Sequence, residues 1–155
     1  MKGMSAPLYN PAILRLAAEI PHHRRLDAPQ ASVEKRSPIC GSRVTADVVL
    51  DADGRLAELG LLVRACALGQ ASASLMAAQA LGRTVAELEQ ARDTLAAWLA
   101  GEGGEEADFW PGMDVLAPAR PFSARHASIR LGFEAVADAA RIAATGGASS
   151  SEAAA

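Results

Sequence analysis

The hydrophobic period of the chain changes once, near Val63, and that change limits what it can fold into. Before it, Val44, Ala46, Val48 and Leu50 alternate with Thr45, Asp47 and Val49, the last of which breaks the alternation. Asp51-Ala52-Asp53-Gly54 supplies turn residues, and Leu56 to Val63 forms a second apolar run. Together they predict an antiparallel hairpin. Asp51 and Asp53 read as turn residues rather than as a catalytic carboxylate pair. A third strand is expected near Val33–Arg36. After Val63 the period is helical: Leu68, Ala71, Ser72, Leu75, Met76 and Gln79 share a face, and Gly82 ends it. Thr84 and Glu87 then form a capping box, followed by a buried stripe of Val85, Leu88, Ala91, Leu95 and Trp98.

The flanks add helices. Asn10 can cap and Pro11 suits a first turn, so a helix is expected with Ile13, Leu16, Ala17 and Ile20 inward, stopped by Pro21. Pro21 to Ser37 reads as loop. Within it, His22-His23-Arg24-Arg25 reads as a solvated or partner-facing patch rather than a metal site. Gly101 to Gly112 reads as a glycine- and acid-rich loop, Val115-Leu116 as a touch on the core, and Pro118 and Pro121 as breaks. A last helix is expected from about Ser123 to Ala143, with Ile129, Phe133, Val136 and Ala140 inward. The expected organisation is a flexible leader (1–8), a single domain (9–144) and a disordered tail (145–155). The fold class is α+β, a small antiparallel sheet of about three strands packed with helices.

At 155 residues the chain makes one domain with a real core. A formal charge of −3 without a basic block argues against nucleic acid. No run of about 18 apolar residues suggests a membrane span, and no signal peptide is evident. The expected compartment is a reducing cytoplasm, where two cysteines point to metal binding or reactivity before a disulfide.

Cys40 lies in Ser37-Pro38-Ile39-Cys40-Gly41-Ser42, a stiff turn entering a strand. Cys66 lies in Arg64-Ala65-Cys66-Ala67-Leu68-Gly69, where a helix begins and its dipole favours an anion, the thiolate that binds metal and attacks persulfide. A free cysteine is more commonly a small buried hydrophobe, and 25 intervening residues match no short metal motif.

Two segments, however, resemble the IscU/NifU/SufU family, whose members carry Pro-x-Cys-Gly-Asp before a hairpin and Gly-Cys-Ala-Ile-Ser-x-Ala-Ser-Ala-Ser at a helix start. Here they read Pro38-Ile39-Cys40-Gly41-Ser42 and Ala65-Cys66-Ala67-Leu68-Gly69-Gln70-Ala71-Ser72-Ala73-Ser74. Tyr9-Asn10-Pro11 is loosely similar to the family's N-terminal helix. The resemblance implies an IscU-like (NifU N-terminal domain-like) fold, with a cluster or zinc ion held at one end of the sheet by three cysteines and an aspartate or histidine. Cys40 and Cys66 carry over directly. Ser42 replaces the aspartate, and a hydroxyl is a poorer ligand than a carboxylate. The third cysteine is absent; its place falls on Ala127 or Ser128, depending on which branch of the family is followed. His126 matches the family's histidine, so the implied cofactor and metal set is Cys40, Cys66 and His126.

The resemblance implies an iron–sulfur cluster assembly scaffold or carrier rather than an enzyme. It would receive sulfur from a cysteine desulfurase, hold a labile cluster of the [2Fe-2S] type and pass it to apo iron–sulfur proteins. A homodimer could bridge one cluster with cysteines from both copies. Alternatives are a zinc-bound sulfur acceptor of the SufU type and a cluster-free regulatory or interaction module. A thiol hydrolase using Cys66 and His126 has no oxyanion-hole motif to support it. Leu116-Ala117-Pro118-Ala119-Arg120 matches the family's chaperone-binding segment too poorly to imply that partner.

Overall fold

The change of period divides the chain into a sheet and the helices that cover it. The computed structural model describes residues 8–38, 41–104, 107–146 and 150–153, the last four by backbone alone. Helix α1 is Pro11–Ala18, capped by Asn10, whose side chain accepts from the Ile13 amide at 3.0 Å. Strands β1 (Ala31–Arg36), β2 (Arg43–Leu50) and β3 (Leu56–Arg64) pair antiparallel. Helices α2 (Ala67–Ala80), α3 (Val85–Leu99) and α4 (His126–Ala144) follow, with 3₁₀ segments Met113–Ala119 and Ser123–Arg125 before α4. The expected antiparallel sheet of three strands packed with helices is therefore present.

Local chemistry sets the boundaries. Asp51 Oδ1 accepts from the Asp53 and Arg55 amides, closing the β2–β3 turn. The register slips between Val49 and Leu50, the point where the sequence alternation breaks. Thr84 and Glu87 make both bonds of the capping box.

Val33, Val44, Ala46, Val48, Leu59 and Leu61 form the buried inner face of the sheet. Helix α4 packs on β1 and β2, and also meets α2 and α3. A helix enclosed on so many sides needs small residues. Ala135, Ala137, Ala139 and Ala140 are fully buried, and a Cβ on Gly132 would lie 3.3 Å from the Ala73 Cα of α2. Ion pairs Lys35–Asp138 (2.8 Å) and Arg141–Glu89 (2.6 Å) tie α4 to β1 and α3 at the rim.

The structure departs from the sequence reading in several places. Asp47, which alternates with the inward Val44, Ala46 and Val48 of β2, lies on the outer face and is nevertheless fully buried. The segment from His22 to Leu26 lies over that half of the outer face, so close that a Cβ on Gly60 would overlap the Arg24 carbonyl oxygen. His22 and His23 are part of this cover rather than only a solvated patch: the His22 carbonyl accepts from the Leu61 amide and His23 Nε2 from the Val63 amide. These bonds satisfy part of the edge of β3, which no strand covers among the described residues. The loop after Gly101 is anchored by Trp110, which is buried edge-on to Phe133 (5.1 Å) and donates to the Leu75 carbonyl at 2.8 Å. Pro118 sits inside a 3₁₀ segment rather than interrupting structure. The tail expected to be disordered contributes strand β4 (Ser150–Ala153), parallel to β1, giving the order β3-β2-β1-β4. A Ser/Ala segment has no apolar alternation to signal a strand. The leader through residue 7 lies outside the described residues.

No helix among the described residues is long and apolar enough to cross a membrane.

The cover over Asp47 makes the first prediction. Burial alone would raise the Asp47 carboxyl, but hydrogen bonds from Arg25, Ser32 and the Leu26 amide, with the Arg25 charge, outweigh it and hold the carboxyl below its ordinary value. Such a depressed group adds stability that is fully present above the unfolded aspartate range, about pH 4, and is lost as pH falls through the folded value. Arg25 is half exposed, so the hydrogen bonds count for more than the charge pair. Asp47→Asn is expected to cost about 1–3 kcal/mol in urea unfolding at neutral pH. The gap from the parent chain should narrow below about pH 4.

Candidate functional site

Three strand ends meet at one end of the sheet: Arg36 pairs with Arg43, and Arg43 with Arg64. The loop between β1 and β2 is closed at its base, where the Ser37 amide donates to the Ser42 carbonyl (2.8 Å) and the Gly41 amide to the Ser37 carbonyl (3.1 Å). Gly41 adopts φ +74°, a value a side chain would strain. Cys40, the first expected ligand, lies outside the described residues together with Ile39. Ser37 Oγ, at the base of this loop, is buried without a hydrogen-bond partner among the described residues.

Cys66 is a free, partly buried thiol at the N-cap of α2. Opposite it, Ser128 in the first turn of α4 reaches Cys66 Sγ at 3.4 Å and Ser42 Oγ at 3.0 Å. Both serines are buried, so the three side chains form a short enclosed chain from β2 through α4 to α2. Gly69 permits it. A Cβ there would overlap Ser128 Oγ and come within 2.8 Å of the Ala65 Cβ. Ser72 Oγ donates to the Ile129 carbonyl at 2.7 Å, fastening the same two helices one turn further on. Of the two positions considered for the absent third cysteine, Ser128 is the one whose side chain reaches Cys66.

His126 opens α4. Its Nε2 donates to the Arg120 carbonyl at 2.9 Å and lies 3.3 Å from that of Ala119. A carbonyl only accepts, so the neutral ring carries its proton on Nε2 and keeps its lone pair on Nδ1. Metal-binding histidines commonly have one nitrogen held in this way. Among the described residues, no group of three His, Cys, Asp or Glu side chains gathers as a metal site. The structure therefore joins Cys66 to Ser42 and Ser128, and separately fixes His126 to the backbone of the preceding turn. The importance of Gly69 was missed in the sequence. Its signal was available, because the family pattern has serine at this position.

A helix-covered antiparallel sheet with a cysteine loop and a helix-start cysteine at one end is the NifU N-terminal type of domain. Comparison with solved structures agrees. The N-terminal part of a nitrogen-fixing NifU-like protein from Brucella abortus is 38% identical to this chain, with a TM-score of 0.82 over 89% of this chain and 95% of that one. A protein from Fervidobacterium islandicum, described as an iron–sulfur cluster assembly scaffold for the SUF system, shares the fold at 17% identity (TM-score 0.78, covering 86% of this chain and 96% of that one). A hypothetical protein shares it at 20% identity (TM-score 0.76, covering 84% and 94%). No protein-family model matches the chain, and no curated protein matches it by sequence. The chain belongs to the IscU/NifU/SufU family.

Gly69→Ala is expected to push α2 away from α4 and to cost about 1–3 kcal/mol. Its effect at the site should exceed its effect on the fold. Alkylation of Cys66 in a Cys40→Ala background should change rate far more for Gly69→Ala than for Ala78→Ser, on the exposed side of α2.

Proposed function

We propose that this chain is an iron–sulfur cluster assembly scaffold or carrier that accepts sulfur and iron at the end of the sheet bearing Cys40 and Cys66 and releases a labile cluster. The observation that carries this reading is the contact of Cys66 with Ser128, which in turn bonds Ser42 at the base of the Cys40 loop, in a chain 38% identical to a NifU-like domain. The cluster is cargo. A partly buried thiol at a helix start suits cargo that must enter and leave. Hydroxyls at positions 42 and 128 are weak ligands for iron, so each copy offers two thiolates where the family pattern offers more. Two copies together would supply four thiolates, a full set for a [2Fe-2S] cluster. Sulfur would come from a cysteine desulfurase, and apo iron–sulfur proteins would receive the cluster. The buried Ser37 hydroxyl, without a hydrogen-bond partner among the described residues, is a donor that a sulfur atom arriving at this loop would meet.

A second reading has one observation in its favour. His126, with Nε2 engaged and Nδ1 available, suits a zinc ion shared with Cys40 and Cys66 in a sulfur acceptor of the SufU type.

Anaerobic reconstitution with iron and sulfide should give a visible charge-transfer band and a shift towards dimer, and Cys40→Ala or Cys66→Ala should lose both. Colourless protein that retains tightly bound zinc as isolated would favour the second reading. Ser128→Cys places a thiol where the hydroxyl meets Cys66, and is expected to lengthen the lifetime of the bound cluster against a chelator.

A further inference from the structure

Among the described residues, the outer face of the sheet is covered over only half its length. The His22–Leu26 segment lies over Asp47 and Gly60. The remaining half runs open to Ser42 and Cys66. Glu34, Arg43, Thr45, Leu62 and Arg64 line a recess of about 310 Å³ there, and Arg36 stands at its rim.

The charges of this recess are unfavourable for the chain alone. Arg43 and Arg64 are register partners, so two guanidinium groups project from opposite positions on one face. Directly opposed like charges destabilise a sheet. Glu34 lies 3.7 Å from Arg43 and 3.2 Å from Arg36, which relieves those two. Among the described residues, no carboxylate pairs with Arg64. The chain as a whole carries −3, so three arginines around one glutamate invert its general charge. Leu62, 42% exposed, stands beside Thr45 in the middle of the recess. An apolar centre with a carboxylate already in place suits a peptide better than a phosphate backbone.

We propose that this half-face docks an extended acidic segment of a partner protein, with carboxylates on Arg43 and Arg64 and an apolar side chain on Leu62. Arg43 follows Ser42 and Arg64 precedes Cys66 by two residues, so a segment bound here brings its protein to the cysteine end. The inference deepens the scaffold reading by naming the chemistry of its partner, and the docking itself requires no cluster.

The test uses the full chain without metal and a short fluorescein-labelled peptide of alternating glutamate and valine. Anisotropy should show binding that weakens with salt, as screening requires. It should fall at least about tenfold in Arg43→Gln/Arg64→Gln, equivalent to about 1.4 kcal/mol. Arg43→Lys/Arg64→Lys should retain part of it, and Cys66→Ala should leave it unchanged. Amide shifts on titration should centre on β1 to β3 near Glu34, Arg43, Thr45, Leu62 and Arg64. The proposal is overturned by absent binding, by equal binding of a lysine–valine peptide or of the double Gln variant, by shifts on another surface, or by tighter binding of a single-stranded oligonucleotide. Failed cluster reconstitution with peptide binding intact would overturn the scaffold reading alone; failed binding with a cluster formed would overturn only the docking surface.

Discussion

The distance between α2 and α4 is the constraint on which the rest of the structure depends. Gly132 against Ala73 and Gly69 against Ser128 bring two helix backbones closer than ordinary side chains allow. This approach lets α4 lie under β1 and β2 while α2 begins beside the end of β3. Closely packed small residues lose little rotamer freedom, so a core with few aromatic residues still packs densely. The same approach places a hydroxyl of α4 on the thiol of α2. Packing and the site thus share one pair of contacts, and loosening the helices would disturb both together.

Much of this was legible in the sequence because it is written in local patterns. The hairpin followed from alternation and the Asp51–Gly54 turn, α3 from the Thr84–Glu87 capping box, and α1 from Asn10-Pro11. The inward stripe of α4 was equally plain at Ile129, Phe133, Val136 and Ala140, all of which are buried. Cys66 at a helix start needed only the change of period after Val63.

What escaped depends on contacts distant in sequence. Asp47 fits an alternating strand as an outward polar residue, and only the return of residues 22–26 across the sheet buries it. Trp110 lies in a stretch whose glycines and acids dominate its composition, and its indole reaches a carbonyl 35 positions away in α2. Ser128 and Gly69 are ordinary helix residues until two helices are superposed. β4 is held by backbone groups, which composition does not report. In the site, the sequence identified the thiols and the lost ligands, whereas the hydroxyl chain that joins Ser42, Ser128 and Cys66 exists only in three dimensions.

The parallel pairing of β4 has a practical side. Its register sets Ala153 beside Arg36, the last residue before the loop that carries Cys40. The polypeptide therefore leaves the sheet at its cysteine end, not at the opposite one. Anything fused behind Ala153, whether a purification handle or a fluorescent reporter, starts its path at that end of the sheet, on the side of β1 away from β3, and would crowd a partner approaching there.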